Sequence, residues 1–372
     1  MYFMNNFMDK IVNSFEIDIF LILVFCSLSL ANLGVFLVLK KVSMVIDAIS
    51  HSVLLGIVIA YLIVKDLNSP FLIIGATLIG ILTFYLIELI SKNSKISKDS
   101  AIGIIFTFFF SLAIIIISIY IRDIHIDTDA ALLGHIELAH ISQLYKIIPI
   151  LILNLCFVII FYKELKIFIF DPSLANILGF SSLFINYALM TLTSLTAVIS
   201  FDVVGTIMAI VCMIGPAATA ILLTKRLSIA WGLSLWISFI STSLGYYLGI
   251  YFDLPVSGLI SVVILFIFLI VLYFEPKNGI IAKIVKNYLY KKSFMIIILL
   301  MHLENHFQQN EKNYINDVKK DLKWSSERYK KCLKKAIKLG YIINKNSELI
   351  ITDFGRKYLY KKNQKFGLIH IN

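Results

Sequence analysis

The first 275 residues alternate long apolar segments with short polar ones, at intervals that suit membrane-spanning helices. A helix needs about 20 mostly apolar residues to cross the hydrocarbon core of a bilayer, and nine segments come close to that length. The predicted spans are 17–39, 44–64, 70–90, 101–121, 145–162, 184–201, 203–224, 228–250 and 257–274. We therefore predict an all-α polytopic membrane domain of about nine transmembrane helices over residues 1–284.

The composition agrees with this pattern. Apolar residues make up 59% of the 372-residue chain and charged residues 15%, whereas ordinary globular domains average about 45–50% and 25%. Such a chain has too little polar surface for a water-soluble particle, which excludes a purely soluble enzyme and a disordered or fibrous protein. The four cysteines form no CxxC pair, so neither a disulfide scaffold nor a zinc knuckle is indicated.

Positive charge is concentrated near the C-terminus. Residues 285–372 contain 19 Lys and Arg against 7 Asp and Glu, while the rest of the chain contains 15 against 16. A second domain, basic and water-soluble, is therefore predicted over residues 285–372.

Lysine and arginine also predict the orientation, because they concentrate in cytoplasmic loops. The loops near residues 40, 95, 165 and 225 carry nine of them, and the alternate loops carry only Lys65, Arg122 and Lys146. We expect the first set to face the cytoplasm. With nine spans, the N-terminus then lies outside and the C-terminal domain inside.

Two ionisable residues lie within the second span. Asp47 and His51 are four residues apart and so share one face of the helix. A charged group at the centre of a bilayer costs about 2.5–3.5 kcal/mol, which makes such residues functional candidates. A carboxylate and an imidazole suit transient binding of Mn²⁺, Fe²⁺ or Zn²⁺. The alternative is that the pair, helped by Ser43, Ser50 and Ser52, merely pins the helix by hydrogen bonds.

The predicted outward loop at 122–146 is rich in metal-ligating residue types. Metal capture at the mouth of a pore is one interpretation, and we favour the other, a solvated loop. The residues concerned are Asp123, His125, Asp127, Asp129, His135, Glu137 and His140.

The predicted inward loop at 163–183 contains the start and stop signals of a short helix. Asp171 suits the N-cap, Pro172 the first helical position and Gly179 the C-terminal end. A capped helix on this face suits docking against a partner protein. The alternative is a plain interfacial connector.

Three segments together resemble the ABC-type zinc/manganese/iron permease family. They read DAISHSVLLG (47–56), FDPSLANILG (170–179) and VGTIMAIVCMIGPAATA (204–220), and the resemblance extends over about residues 17–280. It implies that Asp47 and His51 lie on the metal route. It also implies that 170–179 is the coupling helix, which seats in the ATPase. The matching residues of that helix are Phe170, Asp171, Pro172, Ala175 and Gly179.

The same resemblance implies the partners and the location. Family members work as pairs of permease subunits, homo- or heterodimeric, in the bacterial cytoplasmic membrane, with two separate ATPases and an extracytoplasmic metal-binding protein. The divalent metal is cargo, and no stably bound cofactor is expected. One departure is that Leu55 stands where the family often has proline before Gly56. The chain has no GxxxxGK[ST] loop for binding phosphates, so we expect a transporter subunit and not an enzyme.

The C-terminal domain has the pattern of a winged helix. An apolar run (294–303) is followed by two predicted helices (315–322 and 325–342), a short strand pair and a last helix from Asp353. The last part also resembles the end of the winged-helix domain in DtxR-type metal regulators. The second helix of a helix-turn-helix enters the major groove, and a basic helix favours phosphate contact. Its candidate DNA-contacting residues are Arg328, Lys330, Lys331, Lys334, Lys335 and Lys338.

These lysines have a simpler interpretation, in which they are solvated or touch anionic membrane lipids. The sequence therefore predicts the membrane subunit of an ATP-driven importer for manganese, zinc or iron. Two alternatives stay open, a membrane-tethered winged-helix transcription regulator and an ABC permease for a metal chelate.

Overall fold

The computed structural model describes residues 16–66, 69–120, 141–276, 279–309, 313–345 and 347–366. The chain divides into two compact units, Met1–Glu275 and Pro276–Asn372. This division falls slightly before the predicted boundary at 284. The secondary structure is almost entirely helical, with one two-stranded sheet in the second unit.

The first unit is a bundle of apolar helices, eight of which, among the described residues, are long and apolar enough to cross a membrane. The helices are α1 (Ile17–Leu39), α2 (Val45–Val64), α3 (Phe71–Asn93), α4 (Lys98–Tyr120), α5 (Leu144–Ile160), α6 (Tyr162–Phe170), α7 (Pro172–Ile177), α8 (Ser182–Leu223), α9 (Leu227–Phe252) and α10 (Val256–Phe274). Of these, α6 and α7 are the two shorter helices.

Helix α8 accounts for the difference between nine predicted spans and eight observed helices. It is 42 residues long and contains one residue with non-helical backbone angles, Gly205, at φ 77° and ψ 166°. A straight helix of that length would measure about 63 Å, twice the hydrocarbon thickness of about 30 Å. The element therefore contains both the sixth and the seventh predicted spans.

Contacts with α1 show that the chain reverses direction within α8. Asn186 accepts a hydrogen bond from Lys40, at the C-terminal end of α1, and Thr196 lies level with Ser29 because both bind the Asn154 amide. A straight continuation would place Met213 about 25 Å beyond Thr196, past the start of α1. Instead, the Met213 carbonyl approaches Gly34 so closely that a Cβ there would lie 1.9 Å from its oxygen.

Helix α1 lies at the centre of the bundle, where it packs against α5, α8 and α9. Most of its side chains are buried, including small and polar ones such as Ser27, Ser29 and Asn32. Buried polar groups cost free energy unless they find a partner, and Ser29 and Asn32 each have one on another helix. Asn154 donates to Ser29 and Thr196, and the Trp231 indole donates to Asn32 at 2.7 Å.

The second unit contains four helices and a β-hairpin in the order that the sequence predicts. They are α11 (Ile280–Gln308), α12 (Ile315–Asp321), α13 (Ser326–Lys338), β1 (Ile342–Lys345), β2 (Glu348–Ile351) and α14 (Asp353–Phe366). The two strands pair antiparallel, with Ile342 opposite Ile351. The apolar run at 294–303 forms the core face of α11, since Ile297, Leu300 and Leu303 are buried there. The assignment of this unit as a winged-helix domain stays a prediction.

Candidate functional site

The polar pair Asp47 and His51 lies on one partly exposed stripe of α2. The residues of this stripe recur every three or four positions, the spacing of one helix face, while most positions between them are buried in the bundle. The half-buried members of the stripe are Asp47, Ser50, His51, Leu54, Ile57 and Tyr61.

The two side chains approach each other without forming a direct hydrogen bond. His51 Nε2 lies 3.8 Å from Asp47 Oδ1, beyond normal hydrogen-bond range. Two ligands at about 2.0–2.2 Å from one metal ion are at most about 4.3 Å apart. The separation is therefore within the distance that a single transition-metal ion bridges. The side chains are 37% (His51) and 48% (Asp47) exposed, which leaves room for an ion and further ligands.

The neighbouring serines are engaged elsewhere. The Ser50 hydroxyl donates to the Asp47 carbonyl at 2.7 Å. The Ser52 hydroxyl donates to the Ile49 carbonyl and accepts from Thr83 on α3 at 2.8 Å. Neither hydroxyl is bound to the carboxylate or the imidazole in these contacts, which weakens the interpretation that the pair serves only to pin the helix.

Two aromatic rings of α4 border the imidazole. The Phe106 and Phe110 ring centroids lie 5.4 Å and 5.7 Å from that of His51, the second in edge contact. These rings limit the positions that the imidazole can adopt. The pair is consequently a polar spot with an apolar wall on one side and an open face on the other.

The predicted capped helix is present as α7. Asp171 is its N-cap, and Asp171 Oδ1 accepts hydrogen bonds from the backbone N–H groups of Ser173 and Leu174, both at 3.0 Å. Pro172 is the first helical residue, and Gly179, at φ +84°, follows the C-terminal end. The local prediction for this segment is confirmed, and its role in coupling stays a prediction.

Helix α7 presents apolar side chains to its surroundings while being fixed to the bundle by its other side. Ala175 is fully buried, whereas Ile177 is 81% exposed and Phe170, Leu174 and Leu178 are also exposed. The Ser182 hydroxyl, at the start of α8, donates to the Pro172 carbonyl at 3.0 Å. The segment is therefore tied to the start of α8 and presents an apolar surface.

A largely buried polar network connects the ends of several helices on the side of the bundle where α8 begins. The Lys40 ammonium donates to Asn186 Oδ1 on α8, and Asn186 Nδ2 donates to Glu88 on α3 at 2.8 Å. The same ammonium lies 4.9 Å from the ring centroid of Phe168 on α6. Burial lowers the pKa of Lys40 to about 8, and the negative charge of Glu88 opposes that shift. The network thus joins α1, α3 and α8 next to the segment that leads to α7.

We expect the substitution Glu88→Gln to reduce the stability of the membrane unit. It removes the carboxylate that accepts from Asn186 and that favours the charged form of buried Lys40. Glutamine keeps an oxygen that can accept from Asn186 but has no charge to stabilise the Lys40 ammonium. A hydrogen bond to a charged group contributes about 1.5–3 kcal/mol, so thermal unfolding of the purified chain in detergent should shift to a lower temperature. Lys92→Gln removes only an exposed partner of Glu88 and serves as the control. Equal unfolding temperatures for Glu88→Gln and the unsubstituted chain would contradict this prediction.

The six predicted basic residues of the second unit all lie on α13. Five of them are exposed and Lys335 is half-buried, opposite the buried residues Tyr329, Cys332 and Ala336. Lys331 forms an ion pair with Glu327 at 2.6 Å, one turn away, and this contact lowers the pKa of the Glu327 carboxyl. One of the six charges is therefore partly offset within the helix.

The predicted mouth loop falls largely on 121–140, outside the described residues.

Long apolar helices around a mostly buried central helix define a polytopic membrane protein. The model of the ABC 3 transport family matches residues 14–275, which coincides with the first structural unit. The chain therefore belongs to the ABC 3 transport family. Permeases of this kind carry no ATPase of their own, so the chain is a transport subunit and not an enzyme. Family membership implies a separate ATPase and a substrate-binding protein as partners.

Individual relatives support the assignment along the chain. The zinc transport system membrane protein TroD of Treponema pallidum is 33% identical over 352 residues, which cover 91% of this chain and 96% of that protein. The manganese transport system membrane protein MntD of Bacillus subtilis is 35% identical over 73% of this chain and 95% of its own length. Among solved structures, PsaBC from Streptococcus pneumoniae in complex with Fab matches with a TM-score of 0.64 and 30% identity. That match covers 74% of this chain and 97% of the other.

Proposed function

We propose that the chain is the permease subunit of an ATP-driven importer for divalent transition-metal ions: manganese, zinc or iron. The observation that carries the proposal is the Asp47–His51 pair, at a distance that one ion bridges, on a partly exposed stripe of a half-buried helix. Relatives named as zinc and manganese transport proteins support it. The metal is cargo, and no resident cofactor is needed.

The stripe of α2 implies a second permease subunit. Asp47 at the surface of a single chain inside a bilayer would face lipid, at a cost of about 2.5–3.5 kcal/mol. A second subunit, either identical or related, placed against the stripe removes the pair from lipid and lines a pathway with both sets of ligands. One carboxylate and one imidazole from each side form a transient site, and the aromatic rings on α4 keep the imidazole directed into it.

Helix α7 is the element that we assign to coupling. Its exposed apolar side chains suit a groove in the ATPase subunit, and its hydrogen bond to Ser182 connects it to α8. Movement of the ATPase would pass through α8 and the Lys40 network to the helices around the pathway. Phe170, Asp171, Pro172, Ala175 and Gly179 shape this element, as the sequence resemblance implies.

The loop charges favour a cytoplasmic location for α7 and for the second unit. The ends of α1, α3 and α6 that carry Lys40, Lys92 and Lys163 then face the same side. The delivering metal-binding protein would contact the opposite face. An ATPase docked on α7 requires this orientation as well.

Elemental mass spectrometry of whole cells tests the proposal. Cells would express the chain with the ATPase and binding protein of the same importer, and control cells would lack only this chain. We expect manganese, zinc or iron to rise in the complete set alone. If no transition metal changes although the complex assembles and hydrolyses ATP, metal-ion transport is contradicted, and a metal chelate becomes the cargo to test.

DNA binding by the second unit stays a prediction, supported by the exposed basic residues of α13. We expect the full-length chain in detergent to protect specific sequences from nuclease digestion if the unit is a regulator. Binding to any DNA that disappears as salt is raised would indicate only phosphate attraction, and would count against the regulator alternative.

A further inference from the structure

Three metal-ligating side chains meet in the second unit, far along the chain from the pair on α2. His302 and His306 lie one turn apart on α11, and Asp321 is the last residue of α12. One ligand atom from each of the three lies within 4.8 Å of the other two. The sequence separation between His306 and Asp321 means that the tertiary fold, and not a local motif, assembles this group.

The distances fit a metal ion with little rearrangement. His302 Nε2 lies 3.5 Å from Asp321 Oδ2, and two ligands of a tetrahedral zinc ion are about 3.3 Å apart. The His302 and His306 ring centroids are 4.3 Å apart, so the second imidazole needs only a small side-chain rotation to join them. A two-histidine, one-carboxylate set leaves a fourth position for water or another ligand.

The polar atoms of the cluster are not satisfied by the fold alone. His302 is only 17% exposed, and its Nε2 atom is buried without a hydrogen-bond partner. Buried polar atoms in native proteins nearly always have such a partner. His302 therefore has a ring nitrogen that the fold itself leaves unused.

We propose that His302, His306 and Asp321 form a binding site for a divalent transition-metal ion, in the structural unit that lies outside the family match. The two imidazoles select a borderline ion, with zinc preferred to manganese, since manganese favours oxygen ligands. An ion held there would link the end of α12 to α11. The site shares no residue with the Asp47–His51 pair, and the proposal does not depend on metal transport.

Zinc binding to the purified full-length chain in detergent tests this site. To remove any contribution of the transport pair, all measurements use the His51→Ala background. We expect isothermal titration calorimetry to detect one zinc ion that is lost or bound at least about tenfold more weakly in His302→Ala, His306→Ala and Asp321→Asn. Removing a residue that only hydrogen-bonds to a metal ligand already lowers the affinity for the metal about 10–100-fold.

Asp317→Asn is the matched control, because Asp317 is exposed on the same helix but outside the cluster. It should bind zinc like the background protein. Hydrogen exchange of the backbone amides gives a second readout that does not depend on stoichiometry. Zinc should slow exchange of residues 315–321 in Asp317→Asn and should leave it unchanged in Asp321→Asn. Equal zinc affinity in all four variants, or no zinc-dependent protection, overturns the proposal.

Cobalt(II) distinguishes the coordination from a loose surface contact. A cobalt ion bound by two imidazoles and a carboxylate should show visible absorption bands of a low-symmetry, four- or five-coordinate ion, which zinc displaces. Bands that persist in His306→Ala would contradict the assignment of that residue. If Asp317→Asn is the only one of the four variants that shows these bands, the assignment is confirmed.

Discussion

His51→Ala is expected to reduce metal accumulation by the assembled importer by at least about tenfold, while the ATPase continues to associate with the permease. The substitution removes the imidazole whose Nε2 lies 3.8 Å from Asp47 Oδ1. A loss of about 1.4 kcal/mol in the free energy of ion binding already lowers the affinity tenfold. Uptake of radioactive manganese, zinc and iron by intact cells, measured one metal at a time, gives the result directly.

The matched control for this experiment is Leu54→Ala, which shortens a half-buried side chain on the same stripe of α2 but removes no ligand. It should leave uptake close to normal. Asp47→Asn preserves the shape of the other member of the pair and should behave like His51→Ala. Undiminished uptake by an assembled Asp47→Asn complex would exclude the role that we assign to this carboxylate.

Ile177→Asp should separate the permease from its ATPase. Ile177 is 81% exposed at the end of α7, and interface positions of this kind cost about 2 kcal/mol or more when altered, which is about 30-fold in affinity. Burying an unpaired carboxylate adds to that cost. Co-purification of the ATPase, ATP hydrolysis stimulated by the binding protein, and metal uptake should all fall together.

Ile177→Leu keeps an apolar side chain of the same volume and should retain all three activities. The helix itself is not at risk in Ile177→Asp, because its N-cap at Asp171 and the buried side chain of Ala175 are unchanged. If Ile177→Asp retains both the ATPase and uptake, the docking surface lies elsewhere on the cytoplasmic face.

Much of the membrane unit could be predicted from local patterns. The helices follow from the lengths of apolar runs, and α7 follows from its cap, since Asp171, Pro172 and Gly179 act through neighbouring backbone groups. The position of Asp47 and His51 on one face follows from helical periodicity. These features depend on residues within a few positions of one another, which is why sequence alone reveals them.

Features that depend on distant residues could not be predicted in this way. Lys40 meets Asn186 and Glu88 only after three helices have packed. In the second unit, the i, i+4 spacing of His302 and His306 is visible in the sequence, yet the third group, Asp321, joins them through the packing of α12. His302 falls within the apolar run at 294–303, and the sequence pattern gives no sign that Asp321 lies beside it.

The single-residue turn at Gly205 has a consequence for biosynthesis. Residues 182–204 and 206–223 are about 35 Å and 27 Å long as helices. Only Gly205 separates them, so there is no loop that would let the first half integrate into the bilayer before the second half is translated. The two halves would therefore enter the bilayer together, as one hairpin. With the orientation that the loop charges predict, the tip of the hairpin lies outside the cell, and Asp202, exposed near that tip, would cross the membrane with it.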